Sequence, residues 1–471
     1  MASALAVLGL LAAGITQAAA APEGPPAAAG APSGSEVRNL AFGTAATQSS
    51  TYRGAAANRA VDGQAHKRDA GNFKQGSVSH TNLEAQPYWQ TDLRATKKLD
   101  KVVVWNRTDC CATRLSNFWV LTSDKSITAR SLADARKQAG VTAKKVSSLS
   151  GPSAEVAIGR SARYVRIQLE GTGYLALAEV QAFGNEVVSP SVAAQKWVKE
   201  NPFGMFLHYN MSTYQNKQWA DPMGNPAAFN PTSADPKQWA QSMKDAGMTF
   251  GVLTTKHHDG FALWDSAYSD YDIAKSPYKG GKGDLVREYV DAMRAKGLKV
   301  GLYFSIWDTH NHESTALVQN QLRELLTKYG QIDYLWLDMW GTNRVPYSKI
   351  PYQPVRDLIR KVSPNTLVAN NDQAHTLQTS DVVVYEVPHP DGGMPPATNI
   401  RPADASDTMD TNKTWFRTAS TGAPRSASDI VNNLHKANAA HSLYLLNVGP
   451  DRTGRLPQNY VDRLKEIGSA S

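Results

Sequence analysis

Residues 284–308, DLVREYVDAMRAKGLKVGLYFSIWD, contain one complete helix-then-strand unit. The spacing predicts a helix from Asp284 to Lys296, because Leu285, Val286, Tyr289, Val290 and Met293 share one face and Gly297 supplies the stop. An apolar run from Lys299 to Phe304 then reads as a buried strand, and it ends in the polar Ser305 and in Trp307. The preceding unit has the same form: Asp235 caps a helix with Pro236 in its first turn, Trp239, Met243 and Ala246 share a face, and Gly247 ends it.

Further strand cores are expected at Gly204 to Leu207, Thr249 to Thr254, Asp333 to Leu337, Thr366 to Asn370, Val382 to Tyr385, Thr414 to Arg417 and Ser442 to Leu446. With the first strand these make eight, the number that closes a parallel barrel. The fold class is therefore multidomain, with an α/β, (β/α)8-like TIM barrel over 197–471. No convincing helix follows strands five and six, so the barrel is expected to be imperfect on that side.

In such barrels the C-terminal strand ends line the active site. Here those ends read His208, then His257 and His258, then Ser305 and Trp307, then Asp338, then Asn371 and Asp372, then Glu386. Asp338 and Glu386 each follow an apolar run and should emerge at the rim. Two rim carboxylates fit glycoside hydrolysis, where one attacks or stabilises the anomeric carbon and the other protonates the leaving group. The plainer reading of each is a partner for a nearby Arg or Lys. A metal site from His257, His258 and Asp259 with His310 and His312 is a competing reading, although no helical HExxH spacing occurs.

From 37 to 186 the pattern changes to short β-prone runs separated by Gly, Asp and Ser turns, which predicts an all-β sandwich. Before it, residues 1–21 read as a signal peptide and 22–36 as a flexible Pro/Ala/Gly linker, so a secreted, extracellular protein is expected. Residues 187–196 read as a second linker. The chain has 471 residues and a formal net charge of +8, but no basic run or nucleic-acid motif and no stretch that would span a bilayer. The two cysteines, Cys110 and Cys111, are adjacent. A bond between neighbours closes a small strained ring, so the residues alone leave thiols and disulfide both open.

Two resemblances sharpen this reading. FGMFLHYN (203–210), KHHDGFALWDS (256–266), GLKVGLYFSIWD (297–308), NQLRELLTKYG (320–330) and YLLNVGP (444–450) resemble family 29 α-L-fucosidases. That resemblance implies a retaining exo-α-L-fucosidase acting on fucosylated glycans, with no cofactor for catalysis. It assigns Asp338 in YLWLDMWG as nucleophile, Glu386 in DVVVYEVP as acid/base with Asp404 as the alternative, and α-1,3/1,4 linkages as the leaning. It further implies that His208, His257, His258, Tyr303 and Trp219 contact the sugar and that Trp264 supplies an apolar wall. The usual pattern has Gly after the nucleophile, where this chain has Met339. A sugar-binding protein with an inactive barrel is the alternative.

His80, Arg107, Asp109 and Arg114 resemble the F-type lectin (fucolectin) signature, which implies a jelly-roll-like fold. By that resemblance His80, Arg107 and Arg114 bond fucose, Asp109 orients a guanidinium, a Cys110–Cys111 disulfide stacks on the sugar and Phe73 is a candidate wall for its methyl group. It also implies a structural Ca²⁺ held by side chains of Asp62, Ser77 and Glu179 and by the backbone carbonyls of Arg59 and Gln64.

Overall fold

The computed structural model describes residues 36–64, 71–149, 151–188, 190–390 and 392–470. The expected signal peptide and nearly all of the linker before the first domain lie outside them. Among the described residues no helix is long and apolar enough to cross a membrane.

The N-terminal domain is built on two long antiparallel strands, Tyr88–Trp105 and Ser153–Leu169. The first half of Tyr88–Trp105 pairs with Ala45–Gln48, and its second half pairs with Glu179–Val188. Its register breaks between Asp92 and Lys97 and again between Leu99 and Lys101, and such irregularities let one strand turn a corner and serve two faces of a sandwich. Trp89, Val102, Val104, Phe118, Val165 and Ile167 fill the space between. The segment 187–196, expected as a linker, is instead taken up by the end of Glu179–Val188 and by a helix, Val192–Glu200, capped by Ser191.

Eight parallel strands close the C-terminal barrel: Phe203–Leu207, Phe250–Lys256, Lys299–Ser305, Tyr334–Asp338, Leu367–Asn371, Val382–Glu386, Ala403–Thr408 and Ser442–Asn447. Seven coincide with expected runs to within a residue or two. Strand seven does not, because it is Ala403–Thr408, whereas Thr414–Arg417 lies in the loop beyond it. That loop is set by Asp410, whose Oδ2 accepts from the Thr414 N–H at 3.0 Å, and by Gln218, whose Oε1 accepts from the N–H groups of Trp415 and Phe416. Among the described residues no helix follows strands five or six, as the sequence indicates.

The ring of helices buries Trp239, Met243, Val290, Leu322 and Ile430 against the outside of the strands. Inside, Phe206, Tyr303 and Trp336 form an aromatic layer, with Trp336 stacked on Tyr303 at 5.3 Å. Helix Val192–Glu200 closes the opposite end, where Trp197 stacks on Tyr334 at 5.7 Å. Helix Val192–Glu200 thus covers the lower end of the barrel, and the pocket lies above the aromatic layer.

Candidate active site

A pocket of about 550 Å³ opens at the C-terminal strand ends, floored by Phe206 and Trp336 and walled by His208, His257, His258, Asp338, Glu386 and Trp415. Side chains two apart on a strand point the same way, so Trp336 and Asp338 both face inward, as do Val384 and Glu386. Three donors converge on Asp338: Tyr303 Oη at 2.7 Å on Oδ2, and the Met339 N–H at 2.8 Å and Asn371 Nδ2 at 3.2 Å on Oδ1. Asn371 Nδ2 also lies 3.0 Å from Glu386 Oε2. Burial and then the Glu386 charge push the Asp338 carboxyl up to about 7. Burial raises Glu386 as well, against hydrogen bonds from Asn371 and Trp415. The two acids therefore titrate as an interacting pair, Asp338 accepting three hydrogen bonds and Glu386 those of Asn371 and Trp415.

The three histidines are neutral. Burial lowers His208 and His258 to about 3 and His257 well below its usual value. His208 Nδ1 lies 2.9 Å from Asn447 Oδ1, which can only accept, so Nδ1 carries the proton and Nε2 is an acceptor. His258 follows the same logic: Ser305 donates its hydroxyl to the Trp307 carbonyl at 2.8 Å, so it accepts from His258 Nδ1, also at 2.8 Å. His258 Nε2 is thereby turned toward Asp338 Oδ2, 3.9 Å away.

The other sequence candidates divide. Trp219 stands half exposed at the rim, edge-on to Trp307 at 5.4 Å. Tyr303 lies beneath the pocket, bonded to Asp338 and packed against His208 and His257 from below. Trp264 is not a pocket wall: it is fully buried outside the barrel, with Nε1 donating to Glu324 at 2.9 Å. Asp404 is not in an irregular loop. It sits inside strand seven beside Val384, one layer below Glu386, accepting from Tyr334 Oη and Ser406 Oγ, both at 2.8 Å. That depth keeps it out of reach of a leaving group at the rim. Asp372 turns away to accept from Tyr347 Oη and Thr379 Oγ1. The residues of the metal reading are dispersed, with His310 held by the Pro222 carbonyl and Asp270. Asn371, Trp336, Trp415 and Arg344 are pocket residues that the sequence did not single out for binding; only the position of Asn371 at a strand end pointed toward it.

In the N-terminal domain the signature residues assemble at the surface. Arg107 is gripped by Asp109 through two 2.9 Å bonds and lies over Phe73, 5.3 Å from the ring centroid. His80 packs 5.5 Å from Phe73, and its Nδ1 bonds the Thr81 carbonyl at 2.7 Å, which leaves Nε2 as an acceptor. Arg114 lies over Tyr174, an aromatic absent from the sequence reading. Cys110 and Cys111 are joined in a vicinal disulfide, with Cys111 at φ 59°.

Behind this site Asp62 and Glu179 are buried together, and Asp62 Oδ2 and Glu179 Oε2 have no hydrogen-bond partner among the described residues. Burial pushes Asp62 up to about 8, and burial with the Asp62 charge raises Glu179 well above its usual value. Two orphaned carboxylate oxygens suit a hard cation. Ser77 is less apt, because its hydroxyl both donates to and accepts from the Asn72 backbone.

Residues 212–470 match the family described as "Alpha-L-fucosidase", and residues 59–167 match a "NedA-like, galactose-binding domain". Alpha-L-fucosidase 1 of Arabidopsis thaliana is 29% identical over 301 residues, covering 59% of this chain and 59% of that protein. The chain thus spans less than two thirds of that curated relative. Among solved structures, α-L-fucosidase isoenzyme 1 from Paenibacillus thiaminolyticus is 30% identical with a TM-score of 0.52, covering 59% of this chain and 75% of that one. A glycoside hydrolase 29 family member from an unknown rumen bacterium is 29% identical with a TM-score of 0.53, covering 59% of this chain and 56% of that one.

Proposed function

The chain belongs to the α-L-fucosidase family, and on that premise we propose that it is a retaining exo-α-L-fucosidase. It removes terminal α-1,3- or α-1,4-linked fucose from extracellular glycans, to which its N-terminal domain tethers it by binding fucose. The observation that carries this reading is the reach of Asn371 Nδ2 to both carboxylates. One amide nitrogen bonds two oxygens only if they lie within about 6 Å of each other, which favours the roughly 5–5.5 Å spacing of retaining enzymes over the wider inverting one.

In the first step Asp338 attacks C1 and forms the fucosyl ester while Glu386 gives its proton to the glycosidic oxygen, so the glycan leaves as an alcohol. In the second step Glu386 takes a proton from water as the water oxygen bonds C1, and Asp338 departs with its electron pair. The acceptor nitrogens of His208 and His258 orient sugar hydroxyls, and Phe206, Trp336 and Trp415 face the apolar side of the ring.

The N-terminal site uses the same vocabulary: donors on Arg107 and Arg114, an acceptor on His80, and the disulfide and Phe73 as apolar faces. A Ca²⁺ held by Asp62, Glu179 and the backbone carbonyls of Arg59 and Gln64 would supply charge compensation for the buried acids. Tethering raises the local concentration of substrate without new contacts at the barrel.

A panel of fucosylated oligosaccharides, run beside Asp338→Asn and Glu386→Gln, tests the reading. Azide should restore turnover with different product stereochemistry in the two variants: retained for Glu386→Gln and inverted for Asp338→Asn. Fucose binding with no turnover by the native chain would replace the enzyme with a sugar-binding barrel. Arg107→Ala should abolish retention on immobilised fucose, and retention at the native level would end the lectin reading.

A further inference from the structure

The N-terminal domain meets the barrel at the loop that follows Asp338. Gln64 Nε2 donates to the Gly341 carbonyl. Phe42 sets its ring edge-on to Tyr347 at 5.0 Å and lies 5.8 Å from Tyr352. Each glycine makes room for the ring of its own domain: a β-carbon added at Gly63 would stand 2.9 Å from the Phe42 ring, and one at Gly341 would stand 2.4 Å from Tyr347.

Two short routes lead from this seam to the reacting carboxylates. Along the loop, Gly341 is two residues from Met339, whose N–H bonds Asp338, and Thr342 Oγ1 ties the Met339 carbonyl at 2.7 Å. Toward the neighbouring strand, Tyr347 Oη donates to Asp372 at 2.9 Å and accepts from Asn370 Nδ2 at 2.8 Å. Asn370 and Asp372 flank Asn371, the residue that spans Asp338 and Glu386. Gln64, Tyr347 and Asn371 are 2%, 6% and 5% exposed, so these links are buried, although Phe42 is only partly buried and cavities flank its contact with Tyr347.

We propose that Gln64 and Phe42 are positioning residues of the catalytic pocket, held in the N-terminal domain and acting through Gly341 and Tyr347 on the placement of Asp338. The proposal rests on Asp338 and Glu386 being the reacting pair. It gives the N-terminal domain a second task besides tethering, since the wall that carries the nucleophile's backbone donor is braced from outside the barrel.

The test uses full-length Gln64→Met and Phe42→Leu, which keep side-chain bulk but remove the donor and the ring edge. Lys101→Ala, in an exposed ion pair of the same domain, is the control. On a small aryl α-L-fucoside, kcat should fall about tenfold with KM nearly unchanged, a fraction of the roughly hundredfold loss that a 1 Å misplacement produces. The acidic limb of kcat/KM should also move to higher pH, because the Met339 N–H supports the ionised form of Asp338. Glu386, Tyr303 and His258, the other titratable groups facing Asp338, are untouched by these changes. Where a variant folds poorly by calorimetry, Tyr347→Phe, which deletes only one hydroxyl, is measured in its place. Native kcat and a native acidic limb in the folded variants overturn the proposal. If Asp338→Asn is inactive at the same time, the reacting pair survives; if Asp338→Asn turns over normally, the pair and the brace both fall.

Discussion

Asp338 and Glu386 share a single hydrogen-bond donor, with Asn371 Nδ2 3.2 Å from one carboxylate and 3.0 Å from the other. That donor favours the charged form of whichever acid is ionised, and it holds the pair at a fixed separation.

Asn371→Ala should therefore lower kcat about a hundredfold, the loss typical of removing one donor at a developing charge. Both carboxyls should also titrate higher, since a donor to the charged form is gone. The acidic limb should shift upward in a pH–rate profile, since burial already holds Asp338 above its usual range and one donor to its charged form is gone. An unmoved limb would mean that Asn371 does not govern the pair.

Asp404→Asn should keep most activity, because that side chain lies one layer below the pocket. Its carboxyl is raised from 3.8 to about 7 by burial. A raised folded value means the native state holds a proton that the unfolded chain has released, so this group's contribution is present below pH 4 and is lost as pH climbs toward 7. The variant should gain stability relative to the native chain over that window, by up to about 1.4 kcal/mol per pH unit. Denaturant melts at pH 5 and pH 7.5 measure the difference, and loss of kcat at normal stability would return Asp404 to the reacting pair.

Two tryptophans should separate cleanly. Trp415→Phe removes a donor to Glu386 and reshapes the pocket, so KM should rise with little change in melting temperature. Trp264→Phe removes the 2.9 Å bond to Glu324 and should lower stability by about 1 kcal/mol while leaving KM alone. Steady-state kinetics beside thermal melts check both.

Met339 occupies a left-handed conformation, φ 64°, of the kind glycine adopts without strain. The turn at this residue therefore keeps a glycine-like shape with a longer side chain in place. Met339→Gly should retain turnover and change stability by no more than about 1 kcal/mol, with relief of strain offset by greater freedom of the unfolded chain. Met339→Val, branched at the β-carbon, should be clearly worse on both counts.

Calcium should raise the melting temperature of the native chain, since binding to the folded state alone adds about 2.7 kcal/mol at a hundred times Kd. Glu179→Gln should abolish the increment. An equal increment in that variant would move the ion elsewhere.

Much of the barrel was legible because its strands are apolar runs between amphipathic helices, as in 284–308. Strand seven was not, because ADASDT carries polar residues on both faces that satisfy one another. Inward-facing Asp404 meets Tyr334 and Ser406, and Asp407 accepts from Tyr444 Oη at 2.6 Å and Arg425 Nη1 at 2.8 Å. TWFR at 414–417, with Trp415 and Phe416 at its centre, has the more strand-like composition although it lies in the loop beside the pocket. The rim residues His208, His257, His258, Asp338 and Glu386 could be placed from strand ends alone. Trp264 could not, because an aromatic in a loop gives no sign of which side of the wall it packs against. Nothing in the sequence marks Tyr174, because it lies 60 positions from Arg114, which packs over its ring.

Gly63 makes room for Phe42 and Gly341 for Tyr347, the two rings that meet edge-on where the two halves of the molecule touch. The front half is therefore not an interchangeable cassette. A chimera that grafts another sugar-binding module onto this barrel inherits a gap opposite Tyr347 unless it also brings a ring like Phe42 and a bare backbone beside it.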